Sequence, residues 1–189
     1  IIINKPAGVV THPDGKVDTT NNPSLCEQIV KLYPEMAKVG EPMKLTEKGG
    51  EHILVQRPGV VHRLDTETSG VMIFARTKKF FDYIKEQFQT HAIQKEYKAF
   101  VWGWFKDGDK KGVISAPIGR SKSDFRQYSA DRFARGELRE AVTEYEVLDE
   151  FETKAFPKVS ITPRFAYVSV KPKTGRTHQI RVHMKHIHH

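Results

Sequence analysis

Cysteine is almost absent from this 189-residue sequence, in which Cys26 stands alone. A single cysteine cannot form an intramolecular disulfide, and it excludes zinc or iron–sulfur sites that need several thiolates. No apolar run approaches the roughly 20 residues of a membrane-spanning helix. The sequence also lacks the phosphate-binding patterns Gly-x-Gly-x-x-Gly and Gly-x-x-x-x-Gly-Lys-Ser/Thr, and the Gly-x-Ser-x-Gly turn of serine hydrolases. These absences argue against a membrane span, nucleotide-dependent chemistry and a serine nucleophile.

Positive charge is in excess. The chain has 31 Lys and Arg against 23 Asp and Glu, a formal net charge of +8. Such a surface attracts polyanions, namely nucleic acid, acidic lipid or phosphorylated substrates. The alternative is a soluble basic protein without such a partner. Because 38% of the residues are hydrophobic, the chain can bury a core.

Strand patterns outnumber helix patterns. Helices are predicted after a capping box at Ser24, from Thr77 to about Thr90, and after Thr177, each of these residues acting as the N-cap. Strands are predicted at residues 1–4, 9–11, 60–63, 71–75, 95–102, 112–115, 141–148 and 165–171. Most connections are too short for a crossover between parallel strands. We therefore expect one α+β domain with a mostly antiparallel sheet and a few packed helices.

Two segments are expected to lie outside this framework. Residues 34–59 are rich in proline, glycine and charge, which predicts a long surface loop. Residues 120–139 are basic and poor in aliphatic side chains, which predicts an arm that is mobile or ordered by a partner. The first residues resemble the end of a strand, and the last helix has no stop signal. We therefore expect a piece of a longer chain.

Residues 62–70, His-Arg-Leu-Asp-Thr-Glu-Thr-Ser-Gly, form the first candidate site. Arg63 and Asp65 are two apart, so they share a face wherever the backbone is extended. The following hydroxyl side chains can hold a fixed turn. A salt-bridged turn with no chemical role remains the alternative.

The second candidate site is residues 171–181, where cations cluster around the start of the last helix. Cations are unfavourable at the positive end of a helix dipole, so their presence there indicates an anionic partner. An arginine of this turn that faced Asp65 would keep the carboxylate ionised. A solvated basic turn is the alternative.

Tyr97 lies on a predicted strand among basic neighbours, where a nucleobase can stack on its ring or the ring can simply pack. The histidines near the end of the chain do not predict a metal site. His178 and His183 are five apart, whereas two ligands on one helix face are four apart. The final histidines are also typical of part of a purification tag.

Together these segments resemble the RluA family of pseudouridine synthases. The family signature is His-Arg-Leu-Asp-x-x-Thr-Ser-Gly, which residues 62–70 match. Its companions occur in the family's order: residues 4–13, the Tyr97 segment and residues 175–184, with residues 116–120 also typical. The resemblance spans essentially the whole chain.

The resemblance implies that residues 1–189 form one pseudouridine synthase catalytic domain with a mixed, mostly antiparallel bent sheet, trimmed at the N-terminus and lacking the usual C-terminal part. It implies isomerisation of specific uridines to pseudouridine in structured RNA, either rRNA or tRNA, by base flipping and an aspartate. No cofactor, metal or membrane is implied, and we expect a monomer. The location would be the cytoplasm in a bacterium, and the nucleus, mitochondrion or cytoplasm in a eukaryote.

The resemblance also implies residue roles. Asp65 would be the catalytic carboxylate, which attacks C1′ or C6 of the nucleotide or takes its 2′ proton. Arg181, or alternatively Arg176, would pair with Asp65, and Tyr97 would stack on the flipped uracil and assist removal of the C5 proton. Arg63 would fill the gap in the RNA stack. Further RNA contacts are expected from basic residues, namely His62, Arg176, Lys5, Lys78, Lys79, Arg120, Lys122, Arg126 and the segment 132–139.

Two other functions compete with this hypothesis. One is a catalytically impaired homologue that binds RNA. The other is a glycosidic hydrolase, which needs a second acid, and Glu67 is the nearby candidate.

Overall fold

The computed structural model describes residues 1–13, 21–46, 52–122, 127–130, 134–153 and 162–189. The chain divides into two compact units, Ile1–Ile93 and Gln94–His189, and each is described by itself.

The first unit combines short strand pairs with two α-helices and a 3₁₀ helix. Its elements are β1 (Ile2–Lys5), α1 (Leu25–Leu32), a 3₁₀ helix (Pro34–Lys38), β2 (Met43–Thr46), β3 (His52–Val55), β4 (Gly70–Ile73) and α2 (Lys78–Gln89). β1 pairs with β4, and β2 pairs with β3. Met72 of β4 and the following Phe74 and Ala75 are completely buried, which places the β1–β4 pair in the core of this unit.

The second unit is built on a four-stranded sheet. Its elements are β5 (Tyr97–Trp102), a 3₁₀ helix (Asp107–Asp109), β6 (Lys111–Ser115), β7 (Ile118–Arg120), β8 (Tyr128–Ser129), β9 (Arg135–Arg139), β10 (Val142–Glu152), β11 (Arg164–Pro172) and α3 (Gln179–His186). The large sheet has the order β5-β11-β10-β6, and a smaller one has the order β8-β7-β9.

Every strand pair in the described residues is antiparallel. The predicted α+β class with mostly antiparallel pairing is therefore confirmed. The pairs form four separate sheets within these residues, where a single sheet was expected.

One face of the large sheet carries the core of the second unit. Val101, Ala166, Val168 and Val170 are buried together with Met184 of α3. Along β5 the residues alternate, so Val101 faces this core and Phe100 is exposed. The alternation that predicted this strand from the sequence is confirmed.

The helix starts were partly predictable. Ser24 forms the expected capping box with Glu27, and Thr77 accepts a hydrogen bond from the main-chain N–H of Phe80 at the start of α2. The predicted N-cap Thr177 is wrong. α3 begins one residue later, after His178, which has a left-handed backbone and provides no side-chain cap. The side chain of Gln179 bonds upstream groups there instead.

Four further predictions need correction. Residues 9–11 are not a strand, and the carbonyl groups of Val10 and Thr11 accept from the start of α1. Of residues 60–63, only Val60 forms a bridge, with Phe74. The expected loop at 34–59 contains the 3₁₀ helix and the β2–β3 hairpin. The expected arm at 120–139 contributes to all three strands of the small sheet in its described parts.

Within the described residues, no helix combines the length and the apolar character that crossing a membrane requires.

The capping box at Ser24 gives a test of the first unit. Ser24→Ala removes the acceptor for the N–H of Glu27 and one of the two donors to the Glu27 carboxylate, so we expect about 1 kcal/mol of destabilisation. Cys26 is the probe, because its thiol is buried and burial raises its pKa to about 12. Thiol labelling of the native protein should accelerate about fivefold. Ser24→Gly should have a smaller effect, and equal labelling rates in all three proteins would contradict the assignment.

Candidate active site

Asp65 lies in a tight turn between buried Leu64 and the start of β4. The main-chain N–H of Thr68 donates to the carbonyl oxygen of Asp65 over 3.0 Å, which closes the turn. The Asp65 side chain is half-buried, whereas Leu64 is 6% exposed. Leu64 therefore anchors the backbone, and the next side chain is a carboxylate with access to solvent.

Lys5 holds this turn from within. Its ammonium group donates to the carbonyl oxygens of Pro6, Thr66 and Thr68 at 2.8, 2.9 and 3.0 Å. The side chain is completely buried, and all three of its N–H donors have partners. Burial lowers the pKa of Lys5, while the carboxylates of Glu67 and Asp65 oppose the shift. The expectation that Lys5 contacts RNA phosphate is therefore wrong for this geometry, because the group supports the Asp65 turn.

Two further hydrogen bonds hold the same backbone. The N–H of Gly8 donates to the carbonyl oxygen of Thr66 at 2.9 Å, and the hydroxyl of Thr11 donates to that of Leu64 at 3.0 Å. Gly8 has a φ of +84°, a left-handed conformation that glycine adopts without the penalty of a side chain. The segment after β1 thus supplies the support for the turn. Sequence patterns had assigned that holding role to the hydroxyl groups of the turn itself.

The two residues before Leu64 have different surroundings. Nε2 of His62 accepts from the N–H of Ile73 at 3.0 Å, and its ring stacks on Phe88 of α2 with the centroids 4.8 Å apart. Arg63 is exposed, with one guanidinium nitrogen 3.3 Å from Nε2 of the buried His12. Residues 63–65 do not belong to a strand. An RNA contact by His62 stays a prediction.

Tyr97 begins β5 in the second unit. It lies opposite Val170 of β11 and is half-buried, with its ring packed against the core cluster of the sheet. Its partial exposure is compatible with both functions considered for it, packing and stacking.

Arg176 and Arg181 flank the start of α3. Arg176 donates from Nε to the carbonyl oxygen of Glu140 at 2.9 Å, and its main-chain N–H donates to Oε1 of Gln179 at 3.0 Å. Arg181 lies on α3 with its side chain exposed. His178 between them has φ 54° and ψ 23°. The turn is thus held by main-chain contacts and by Gln179.

Arg120 belongs to the small sheet. Its guanidinium carbon lies 4.5 Å from the ring centroid of Tyr128, and Tyr128 meets His178 edge-on with the centroids 6.1 Å apart. This arrangement brings Arg120 together with the turn before α3.

The other basic candidates lie in different surroundings. Lys78 forms an ion pair with Asp82, and Arg139 forms one with Glu137. Lys79 and Lys122 are exposed. Arg126 and Arg132 lie outside the described residues.

No cluster of three or more His, Cys, Asp or Glu side chains suited to a metal ion occurs within the described part of the chain.

Sequence reasoning missed the supporting residues Thr11, His12 and Gln179, and it assigned Lys5 to the wrong partner. All four residues lie inside the motifs quoted above, and that position was the signal by which they could have been found. The sequence reasoning had selected instead the exposed or half-buried side chains that these residues support.

Comparison with known proteins supplies a family. A family model described as RNA pseudouridylate synthase matches residues 1–186. The chain is 36% identical over 188 residues to a protein named ribosomal large subunit pseudouridine synthase D from Pseudomonas aeruginosa, covering 99% of this chain and 47% of that protein. It is 32% identical over 190 residues to one named tRNA pseudouridine synthase C from Haemophilus ducreyi, covering 100% and 66%.

A solved structure supports the same fold. The human protein called RNA pseudouridylate synthase domain containing 1 superposes with a TM-score of 0.66 at 23% identity, covering 98% of this chain and 60% of that one. The chain spans about half the length of several curated relatives that it matches.

Replacing Lys5 tests the support of the turn. Lys5→Met leaves the carbonyl oxygens of Pro6, Thr66 and Thr68 without these donors, so we expect the first unit to lose about 1–3 kcal/mol of stability. Denaturant unfolding measures the change. Lys38→Met is the matched control, because Lys38 is exposed, and it should change stability by less than about 0.5 kcal/mol. Equal effects of the two substitutions would refute the supporting role of Lys5.

Proposed function

The chain belongs to the RNA pseudouridylate synthase family, and from this premise we propose that it isomerises specific uridines of structured RNA to pseudouridine. The relatives' names include enzymes of ribosomal RNA and of tRNA, and either class fits the proposal. The family match covers both units, which supports the proposal that they belong to one catalytic domain. We propose a monomer without a cofactor, acting in the cytoplasm if the organism is a bacterium.

The observation that carries the proposal is the preorganised turn at Asp65. The backbone carbonyls of residues 64, 65, 66 and 68 all accept hydrogen bonds from groups of the protein. A half-buried carboxylate on such a frame needs little reorganisation when a substrate arrives. A carboxylate that reacts at a sugar carbon has to be held in a fixed position, and such a frame provides that.

The reaction conserves atoms and electrons. The bond between N1 of uracil and C1′ of ribose breaks, a bond between C5 and C1′ forms, C5 loses a proton and N1 gains one. No oxidant, reductant or energy source is consumed. We propose that Asp65 starts this sequence, either by attack on C1′ or C6 or by taking the 2′ proton.

We propose Arg181 as the residue that keeps Asp65 ionised. Arg176 is the weaker candidate, because its Nε already donates to the carbonyl of Glu140. An arginine beside a carboxylate favours the charged form of that carboxylate. Tyr97 is proposed to stack on the extruded uracil and to assist removal of the C5 proton.

Binding would use the exposed cations. Arg63 is proposed to fill the gap that the flipped nucleotide leaves, offsetting an unstacking cost of a few kcal/mol. Arg120 and Lys79 are proposed to contact phosphates, as is Arg176. The net charge of +8 supports such contacts.

Two substitutions in one turn test the proposal. Asp65→Asn removes the ionisable carboxylate at nearly constant shape, so we expect pseudouridine formation to fall to background while RNA binding persists. Glu67→Gln is the matched control, because it removes an exposed carboxylate two residues away, and it should lower the rate far less than Asp65→Asn does. Both variants are assayed on unmodified rRNA and tRNA, with the nucleosides identified after digestion.

The other outcomes identify the competing functions. Full activity of Asp65→Asn would refute the proposed role of Asp65. Release of free uracil that depends on Glu67 would indicate a hydrolase. RNA binding by the unsubstituted chain with no product would indicate an RNA-binding homologue without activity.

A further inference from the structure

A buried polar network lies beneath the start of α3, centred on Gln179. Its Oε1 accepts from the hydroxyl of Thr174 at 2.7 Å and from the N–H of Arg176 at 3.0 Å. Its Nε2 donates to the carbonyl oxygen of Val142 at 3.0 Å and to the hydroxyl of Thr143 at 2.9 Å. Gln179 is 4% exposed, so one side chain connects the turn before the helix to strand β10.

The network continues one helical turn later at His183, which is completely buried. Nε2 of His183 lies 2.9 Å from the carbonyl oxygen of Ala116 and must donate to it, so Nδ1 accepts from the hydroxyl of Thr143 at 2.8 Å. Burial lowers the pKa of His183, which keeps this neutral tautomer. The Thr143 hydroxyl therefore accepts from Gln179 and donates to His183. The directions of all these hydrogen bonds are consistent.

Helix geometry relates this network to Arg181. Residues 179 and 183 share one face of α3, and residue 181 projects about 180° away from the middle of that face. Arg181 is exposed accordingly. Two directed hydrogen-bonding side chains on one face restrict how the helix can rotate or slide on β10, which apolar packing alone restricts less. The direction of Arg181 is therefore set from the opposite side of the helix.

We infer that Thr143, Gln179 and His183 are positioning residues of the proposed isomerisation, which orient Arg181 through α3 and Arg176 through the turn before it. This inference rests on the proposed function. None of the three needs to touch RNA, because each is buried and bonded within the second unit. Their contribution should appear in the rate of the chemical step, and much less in RNA affinity.

Two substitutions of Thr143 test this inference, because they are expected to affect kcat differently. Thr143→Val keeps the shape and removes the hydroxyl, whereas Thr143→Ser keeps the hydroxyl and removes a methyl group. If the network positions the arginines, Thr143→Val should lower kcat by about 10- to 100-fold with KM for RNA little changed. Thr143→Ser should retain most of kcat. The reverse order, with Ser impaired and Val active, would show that Thr143 only fills space.

A coupling experiment tests whether Arg181 carries the effect. In an Arg181→Ala background, Thr143→Val should lower kcat by much less than it does in the unsubstituted protein, because the oriented group is gone. If Thr143→Val lowers kcat by the same factor in both backgrounds, the effect does not pass through Arg181 and this part of the inference is overturned. Val101→Ala is the control for loss of packing, because Val101 is buried in the core of the same unit and its side chain has no hydrogen-bonding group. It should leave kcat unchanged at temperatures where the protein is fully folded.

Amide hydrogen exchange separates this inference from the proposed function. Loss of the Thr143 hydroxyl should release Gln179, so the amide of Arg176 should exchange at least tenfold faster in Thr143→Val than in Thr143→Ser. Unchanged exchange would overturn the positioning role whatever the protein does to RNA. Faster exchange in a protein that makes no pseudouridine would refute the proposed function, together with the catalytic part of the inference.

Discussion

The ammonium group of Lys5 donates to three main-chain carbonyl oxygens in the interior of the first unit, and the Asp65 turn depends on these bonds. A lysine is rarely buried, because its charge is costly to remove from water unless every donor finds a partner. Each of the three N–H donors of Lys5 has a carbonyl acceptor, and two of these acceptors belong to the turn. The nearby carboxylates of Glu67 and Asp65 further favour the charged lysine. The arrangement couples the end of β1 to the candidate catalytic residue.

The second unit uses the same physical device with different side chains. Gln179, Thr143 and His183 are buried, and their hydrogen bonds hold the turn and the helix that carry Arg176 and Arg181. In both units the candidate reactive groups are partly exposed, while fully bonded polar side chains fix the backbone behind them. Buried polar groups with all partners present give directional restraint, which a reaction between positioned groups requires.

Local patterns predicted the elements that depend on local contacts. The capping box at Ser24 and the alternation along β5 are set by neighbours in sequence, and both are confirmed. The β2–β3 hairpin was missed because its glycines and charges, and the prolines on either side of it, resemble those of a loop. The family and the position of Asp65 followed from motifs, whereas the roles of Asp65, Tyr97 and Arg181 stay predictions. Lys5 was misassigned because two of its acceptors lie 61 and 63 residues away. The Gln179–Thr143 contact likewise spans 36 residues.

We propose that this chain catalyses a rearrangement in which the ribose replaces the hydrogen on C5 of uridine. The most direct measurement incubates a small amount of the chain with a molar excess of unmodified RNA that carries tritium at C5 of uridine. We predict that tritium is released to water over several turnovers per chain, and that an equal amount of a nucleoside isomeric with uridine appears. Retention of all tritium in the RNA, or its appearance in free uracil, would contradict the claim.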